Sequence, residues 1–259
     1  MKLFLASDLH VEFHGNAPDA AQQADIILLA GDCHSGERTF EVAEHYHQRY
    51  DVPVVFVAGN HEFYGHDIDQ LIERLRAKSA RHPGIHFLER DSIVIGSTRF
   101  LGCTLWSNFL LFGQETQWLH KAKAADIIPD FRLIKKGEAN FSAEDAEQLF
   151  NDSYEWLDHT LAQPFVGHTV VLTHFAPDIC AVHPHFLQAG RDELTPYFTN
   201  DCTDLMRRHS IHTWCYGHTH NSVDQLIVNK TRVVSNQRGY PHEPAQFTAF
   251  DSNKIIELD

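Results

Sequence analysis

Lys2-Leu3-Phe4-Leu5-Ala6-Ser7-Asp8-Leu9-His10 opens the chain, and two echoes follow, Ile26-Ile27-Leu28-Leu29-Ala30-Gly31-Asp32 and Val54-Val55-Phe56-Val57-Ala58-Gly59-Asn60-His61-Glu62. Each is a short apolar run, rich in Ile, Val and Leu, that stops at a polar loop. Runs without polar alternation predict strands covered on both faces. Between the second and third, Glu37 to Tyr50 places Phe40, Ala43 and His47 at helical spacing, and Asp67 to Ala80 does the same with Ile68, Leu71, Ile72 and Leu75. Strand, helix, strand, helix predicts parallel pairing.

Beyond residue 85 the pattern turns to hairpins. Ser92 to Ile95 and Arg99 to Cys103 flank Gly96-Ser97, and Val223 to Val228 and Thr231 to Ser235 flank Asn229-Lys230, so a second, more antiparallel sheet is expected. Ser142 with Asp145 caps an amphipathic helix through Leu149, Trp156, Leu157 and Leu161, which leads to a strand over Thr169 to Thr173. Helices should therefore cover both sheets. Residues 104–140 are the least regular part and hold the cluster Phe109-Leu110-Leu111-Phe112, a lid or oligomer contact in an otherwise single domain of residues 1–259.

Composition narrows the function classes. The chain has 259 residues, enough for a continuous core, and 43% hydrophobic residues, as in ordinary folded proteins. Its 21 basic against 35 acidic residues give a formal charge of -14, a field that repels extended nucleic acid and anionic membranes. Five cysteines, odd in number, widely spaced and without C-x-x-C, match reduced thiols in a cytoplasmic protein. The N-terminal apolar run is too short for a signal-peptide core, and no segment has the apolar length of a membrane span.

The chemistry sits where the strands end. Side chains two apart in an extended segment point the same way, so Asp8 and His10 can reach one metal. Gly31 permits a tight turn, and the Asp32 carboxylate has two oxygens able to bridge two cations. Gly59-Asn60-His61-Glu62 adds an amide oxygen and an imidazole, the run Val170 to Thr173 ends at His174, and Thr213 to Tyr216 runs into Gly217-His218-Thr219-His220. Ligand sites of open α/β sheets lie at that carboxyl edge. Taken singly, each motif also fits a hydrogen-bonded polar network without metal.

Together and in this order, Asp8-x-His10, Gly31-Asp32, Gly59-Asn60-His61-Glu62, His174 and Gly217-His218-x-His220 resemble the calcineurin-like metallophosphoesterase family, over residues 8–220. Ser7 to Phe13, Gly59 to Gly65 and Asn236-Gln237-Arg238-Gly239-Tyr240 are similar to a bacterial branch whose substrates the motifs leave open. The resemblance implies an α/β fold (α+β by some schemes), a four-layer sandwich of two mixed sheets packed face to face with helices outside. It also implies one metal on Asp8, His10, Asp32 and His220 and a second on Asp32, Asn60, His174 and His218, with Asp32 as the bridge. Imidazole, carboxylate and amide donors without thiolate suit Mn, Fe or Zn. Two such ions can clamp a phosphoryl group and activate a water for in-line attack.

His61 is the expected catalytic acid and, with Asn60, a substrate contact. Relatives often carry an orienting carboxylate three residues after the bridging Asp; here that place is Ser35, so what orients His61 is open. Phe175 replaces a second histidine after His174, and Arg238 is a candidate phosphate clamp through its planar guanidinium. The expected activity is hydrolysis of small phosphate esters. Loops 8–14, 31–36, 59–66 and 217–222 contain no Lys or Arg, which favours a singly charged diester over a monoester. In that scheme Phe175, Trp106 and the cluster Phe109 to Phe112 shelter the organic arm. A phosphomonoesterase on the same site and a non-catalytic scaffold on the same fold are the alternatives.

Overall fold

The three opening runs become neighbouring strands. The computed structural model describes residues 1–188, 190, 192–244 and 248–258. Strand β1 (Lys2–Ala6) leads through a single turn, α1 (Val11–His14), to β2 (Ile26–Ala30); α2 (Arg38–Tyr50) then precedes β3 (Val54–Val57), and α3 (Ile68–Ser79) precedes β4 (Ile85–Phe87). All four strands pair in parallel, with Leu3 opposite Ile26 and Leu28 opposite Val55. The side chain of Asp67 caps α3 by accepting from the Gln70 amide.

Strands β5 (Asp91–Ile95) and β6 (Thr98–Cys103) form the expected hairpin over Gly96-Ser97. The segment expected to be least regular holds α4 (Gln117–Ile127), α5 (Asp130–Leu133) and a small ribbon of β7 (Lys135–Lys136) and β8 (Ala139–Asn140). Helix α6 (Ala143–Leu161) starts with a capping box, Ser142 and Asp145 satisfying each other's backbone amides. After it come β9 (His168–Thr173), α7 (Thr195–Phe198), α8 (Thr203–Arg208), β10 (Thr213–Tyr216), β11 (Asp224–Leu226), β12 (Arg232–Ser235) and β13 (Ile255–Glu257).

One sheet has the order β13-β1-β2-β3-β4 and the other β11-β12-β10-β9-β6-β5. Both are mixed: β13, β11 and β5 run antiparallel to their neighbours, while β6, β9, β10 and β12 are parallel. The period of two explains the unbroken apolar runs. Leu3, Leu5, Ile26, Leu28, Val55 and Val57 of the first sheet meet Phe100, Val170, Leu172, Cys215 and Val234 of the second in one inner layer. The alternate residues, Phe4, Ile27, Leu29, Phe56, Val171 and Trp214, face outward into a helix-covered layer with Phe40, Leu71, Leu149 and Leu157. The central strands of both sheets are thus buried on both faces, and parallel strands direct their carboxyl ends to one edge.

Candidate metal centre

At that edge the two sheets are joined. Asp8 and His10 follow β1, Asp32 follows β2, Asn60 and His61 follow β3, His174 follows β9, and His218 and His220 follow β10. Ser7 bridges Gln237, the Gly217 amide donates to the His174 carbonyl, and the His218 amide donates to Asp8 Oδ1 and Oδ2 at 3.0 and 3.1 Å. The turns are unusually tight. Asp8, His10, Asp32, His218 and His220 all have left-handed backbone, with φ between 41° and 73°. Few non-glycine residues adopt it, at a cost on the order of 1–3 kcal/mol each, and such strain clusters at functional sites.

The structure brings the candidates together as three overlapping groups whose donor atoms lie within 4.8 Å of one another: Asp8, His10 and His220; His10, Asp32 and His61; Asp32, His174 and His218. Asn60 joins them, its Oδ1 3.1 Å from His174 Nε2. Outer hydrogen bonds aim the rings. His174 Nδ1 sits 2.8 Å from the Ala30 carbonyl, His220 Nδ1 2.6 Å from Glu243 Oε2, and His10 Nδ1 3.4 Å from Glu12 Oε1. With Nδ1–H engaged outward on His10 and His174, their Nε2 lone pairs point inward, the arrangement by which metal-binding histidines are fixed.

The residues fit a cation. His10 Nε2 and His220 Nε2 face each other at 3.3 Å, and His220 Nε2 lies 3.3 Å from Asp8 Oδ1. Opposed imidazole lone pairs repel unless a proton or a cation stands between them. His218 Nε2 is buried with no hydrogen-bond partner, the kind of orphan that a metal ligand makes. Two glycines make the space: a Cβ on Gly59 would lie 2.1 Å from Asp32 Oδ1, and one on Gly31, whose φ is 84°, would lie 2.5 Å from His174 Nδ1.

Electrostatics point the same way. Burial, helped by the Glu62 and Asp8 carboxylates, drives the Asp32 carboxyl well above its usual range. Burial pushes Asp8 up too, but the hydrogen bond and charge of His220 outweigh it and hold Asp8 well below that range. Burial lowers His10, His174 and, furthest, His218, which keeps their nitrogens neutral. His220 is the exception: it rises to about 9 despite burial, because Asp8 and Glu243 both bind its charged form, so a proton can hold the place beside His10 that a cation would take.

Several partners are given no role by the motifs. Glu62, fully buried, accepts from the amides of Asp32, Cys33 and Gly59 and from the Thr39 hydroxyl, clasping two site loops. Near His61 stands Glu12, its Oε1 3.6 Å from Nδ1, while the Tyr240 hydroxyl is 2.9 Å from Nε2. Burial raises the Glu12 carboxyl, but hydrogen bonds with His10 and His61 prevail and bring it to about 2. The carboxylate missing at Ser35 is thus replaced from another loop; its one sequence signal is the place two residues after His10.

Two expectations change. The Arg238 guanidinium donates to the Asn16 carbonyl at 2.6 Å, and no Lys or Arg is a hydrogen-bond or ion-pair partner of the seven candidate ligands among the described residues. Trp106, Phe109 and Phe175 are buried, with Trp106 packed on Phe63, Phe141 and Phe175, so those three shelter no substrate arm; Leu110 and Phe112 of the same cluster are exposed, Phe112 against the His120 ring. Phe175 packs on the His218 ring instead, at 4.0 Å between centroids. An exposed aromatic beside the site is Phe13, 5.6 Å from the Tyr240 ring.

Comparison with known proteins agrees with this fold. The family model for calcineurin-like phosphoesterases matches residues 1–222. An uncharacterized protein of Acanthamoeba polyphaga mimivirus is 27% identical over 221 residues, 79% of this chain and 74% of that protein. Among solved structures, the phosphopantetheinyl hydrolase of Mycobacterium tuberculosis shares the fold, with a TM-score of 0.70 at 18% identity over 93% of this chain and 90% of its own. A dimetal phosphatase from Danio rerio has a TM-score of 0.52 at 15% identity over 95% of this chain and 90% of its own.

Proposed function

The chain belongs to the calcineurin-like phosphoesterase family, and from that premise we propose that it hydrolyses small phosphodiesters at a two-metal centre built from the seven converging side chains. Asp8, His10, Asp32 and His220 would hold one divalent ion, and Asp32, Asn60, His174 and His218 the other, with Asp32 shared. Mn, Fe or Zn suits this set of nitrogen and oxygen donors. When bound, the ions supply Lewis-acid polarisation of the phosphoryl oxygens and a water acidic enough to attack at neutral pH.

The chain's own groups do the rest. Asn60 and His61 enter the cluster from the end of β3, and the His61 amide is fixed by Asp32 Oδ1 at 2.9 Å. Nε2 of His61 already pairs with an oxygen, the Tyr240 hydroxyl, and is the atom from which a leaving oxygen would take its proton. Glu12, 3.6 Å from the other nitrogen, steadies the ring.

The observation that carries the metal assignment is the orphaned, neutral His218 Nε2 within the Asp32, His174 and His218 group. Charge carries the diester preference. A monoester arrives with about two negative charges at pH 7, whereas Glu12, Glu62, Glu243 and Asp130 surround the ligands and no Lys or Arg pairs with them among the described residues. A diester brings one negative charge and an organic arm for which Phe13 and Tyr240 offer aromatic surface. With Mn supplied, kcat/KM for bis(p-nitrophenyl) phosphate should exceed that for p-nitrophenyl phosphate on the same preparation. The reverse order would favour the monoesterase, and no hydrolysis of either with two ions bound would favour the scaffold.

A further inference from the structure

Asp130 belongs to none of the motifs, yet its carboxylate accepts three side-chain hydrogen bonds beside the site. It lies on α5, within residues 104–140, and is fully buried. Its Oδ1 accepts from Asn60 Nδ2 at 3.0 Å and from the Tyr64 hydroxyl at 2.7 Å, and its Oδ2 accepts from the Tyr197 hydroxyl. No Lys, Arg or His forms an ion pair with it among the described residues. A buried carboxylate satisfied only by neutral donors is costly to keep, which asks what it does.

The answer lies in Asn60. The two ends of a carboxamide have nearly the same shape, but only the oxygen can ligate a metal. A carboxylate accepts and cannot donate, so Asp130 can pair only with the NH2 end. That choice turns Asn60 Oδ1 toward His174 Nε2, 3.1 Å away, and the Asp32–His174–His218 group. The same anion holds two rings that touch the site: Tyr64 packs on His61 at 4.3 Å, and Tyr197 packs on Phe175 and His218, each at 5.4 Å.

We propose that Asp130 is a positioning residue that selects the oxygen of Asn60 as a metal donor, making the 104–140 segment a fixed part of the metal centre. This rests on the two-ion reading above. It also separates the segment from a lid, because a lid would have to break three hydrogen bonds of a buried carboxylate at every opening.

The test exchanges the two side chains and reads Mn binding by calorimetry, with thermal melts of the metal-free proteins to show that each variant folds. Asn60→Asp should weaken one of the two ions about 10- to 100-fold, the usual effect of losing an outer-shell partner, even though it offers the metal a stronger ligand. The loss follows because two carboxylates would then face each other. Asp130→Asn should weaken the same ion, since the paired amides no longer choose an end. The double variant Asn60→Asp, Asp130→Asn restores a donor facing an acceptor and should recover most of the affinity. A bystander Asp130 predicts equal or tighter binding by Asn60→Asp and no recovery in the double variant, and either result overturns the proposal. If one single variant fails to fold, the other single and the double still decide the matter. Wild-type protein that saturates with fewer than two ions would remove the two-ion reading and this inference together, whereas two ions with unchanged single variants would remove only the inference.

Discussion

Adding one methyl group at Gly59 is the sharpest probe of the metal centre. Its backbone is not left-handed, so alanine is allowed there and the effect comes from space alone. The new Cβ would stand 2.1 Å from Asp32 Oδ1 and 2.7 Å from both Cε1 and Nε2 of His174. To regain an ordinary 3.4 Å contact, the Asp32 oxygen must retreat by about 1.3 Å. Neither neighbour is a flexible tip: Asp32 is held by the His61 amide and His174 by the Ala30 carbonyl. Metal–ligand distances tolerate about 0.2 Å, so a shift of this size removes the shared carboxylate as a donor. The expected result is a loss of Mn affinity of about 100-fold or more, the upper end of what an outer-shell change costs. Overpacking should also lower the stability of the metal-free protein by about 1–3 kcal/mol. The assay is Mn titration by calorimetry beside hydrolysis of bis(p-nitrophenyl) phosphate against Mn concentration. A Gly59→Ala protein that binds two ions with wild-type affinity would refute the claim that Asp32 lies between two ions and against this glycine.

Other perturbations separate the roles. His61→Gln should keep both ions and lower kcat by about 10²- to 10⁴-fold, more for alkyl than for p-nitrophenyl leaving groups, and equal losses would assign His61 to phosphate binding. Glu12→Gln should show the same leaving-group dependence at a smaller size, about 10-fold, because it acts through His61; a uniform loss would argue against a part in orienting the acid. Mn at about 100 times its Kd should stabilise the fold by about 2.7 kcal/mol, read as a rise in Tm that a chelator reverses; an unchanged Tm would argue against a native metal site. Away from the site, Arg232 lowers the Asp224 carboxyl through hydrogen bonds of 2.8 and 2.9 Å, and Lys254 assists at 3.0 Å. A carboxyl depressed in the folded state contributes stability above its unfolded value near pH 4 that is lost as pH falls through the folded one. Asp224→Asn should therefore cost about 0.5–1 kcal/mol at pH 7, as expected for a partly exposed pair, and almost nothing near pH 2.

Local order determined much of this protein. The runs at Lys2–Ala6 and Ile26–Ala30 are strands to the residue, because an unbroken apolar run can only be satisfied by burial on both faces. The polar ends of those runs marked Asp8, His10, Asp32, Asn60, His174, His218 and His220, because parallel strands carry their carboxyl ends to one edge. What the sequence left open is what holds those groups. Glu12 serves a histidine on another loop, Asp130 reaches Asn60 across 70 positions, and Glu243 reaches back 23 to His220. The second hairpin ran wider than its Asn229-Lys230 signal, its strands pairing only over Asp224–Leu226 and residues 232–234. Arg238 and Phe175, which adjacency made candidates for the substrate, turn instead to Asn16 and the core. Ligands repeat at short spacings because one strand end presents them. Their supports come from whichever loop the packed sheets bring within hydrogen-bond reach, and only the tertiary structure decides that.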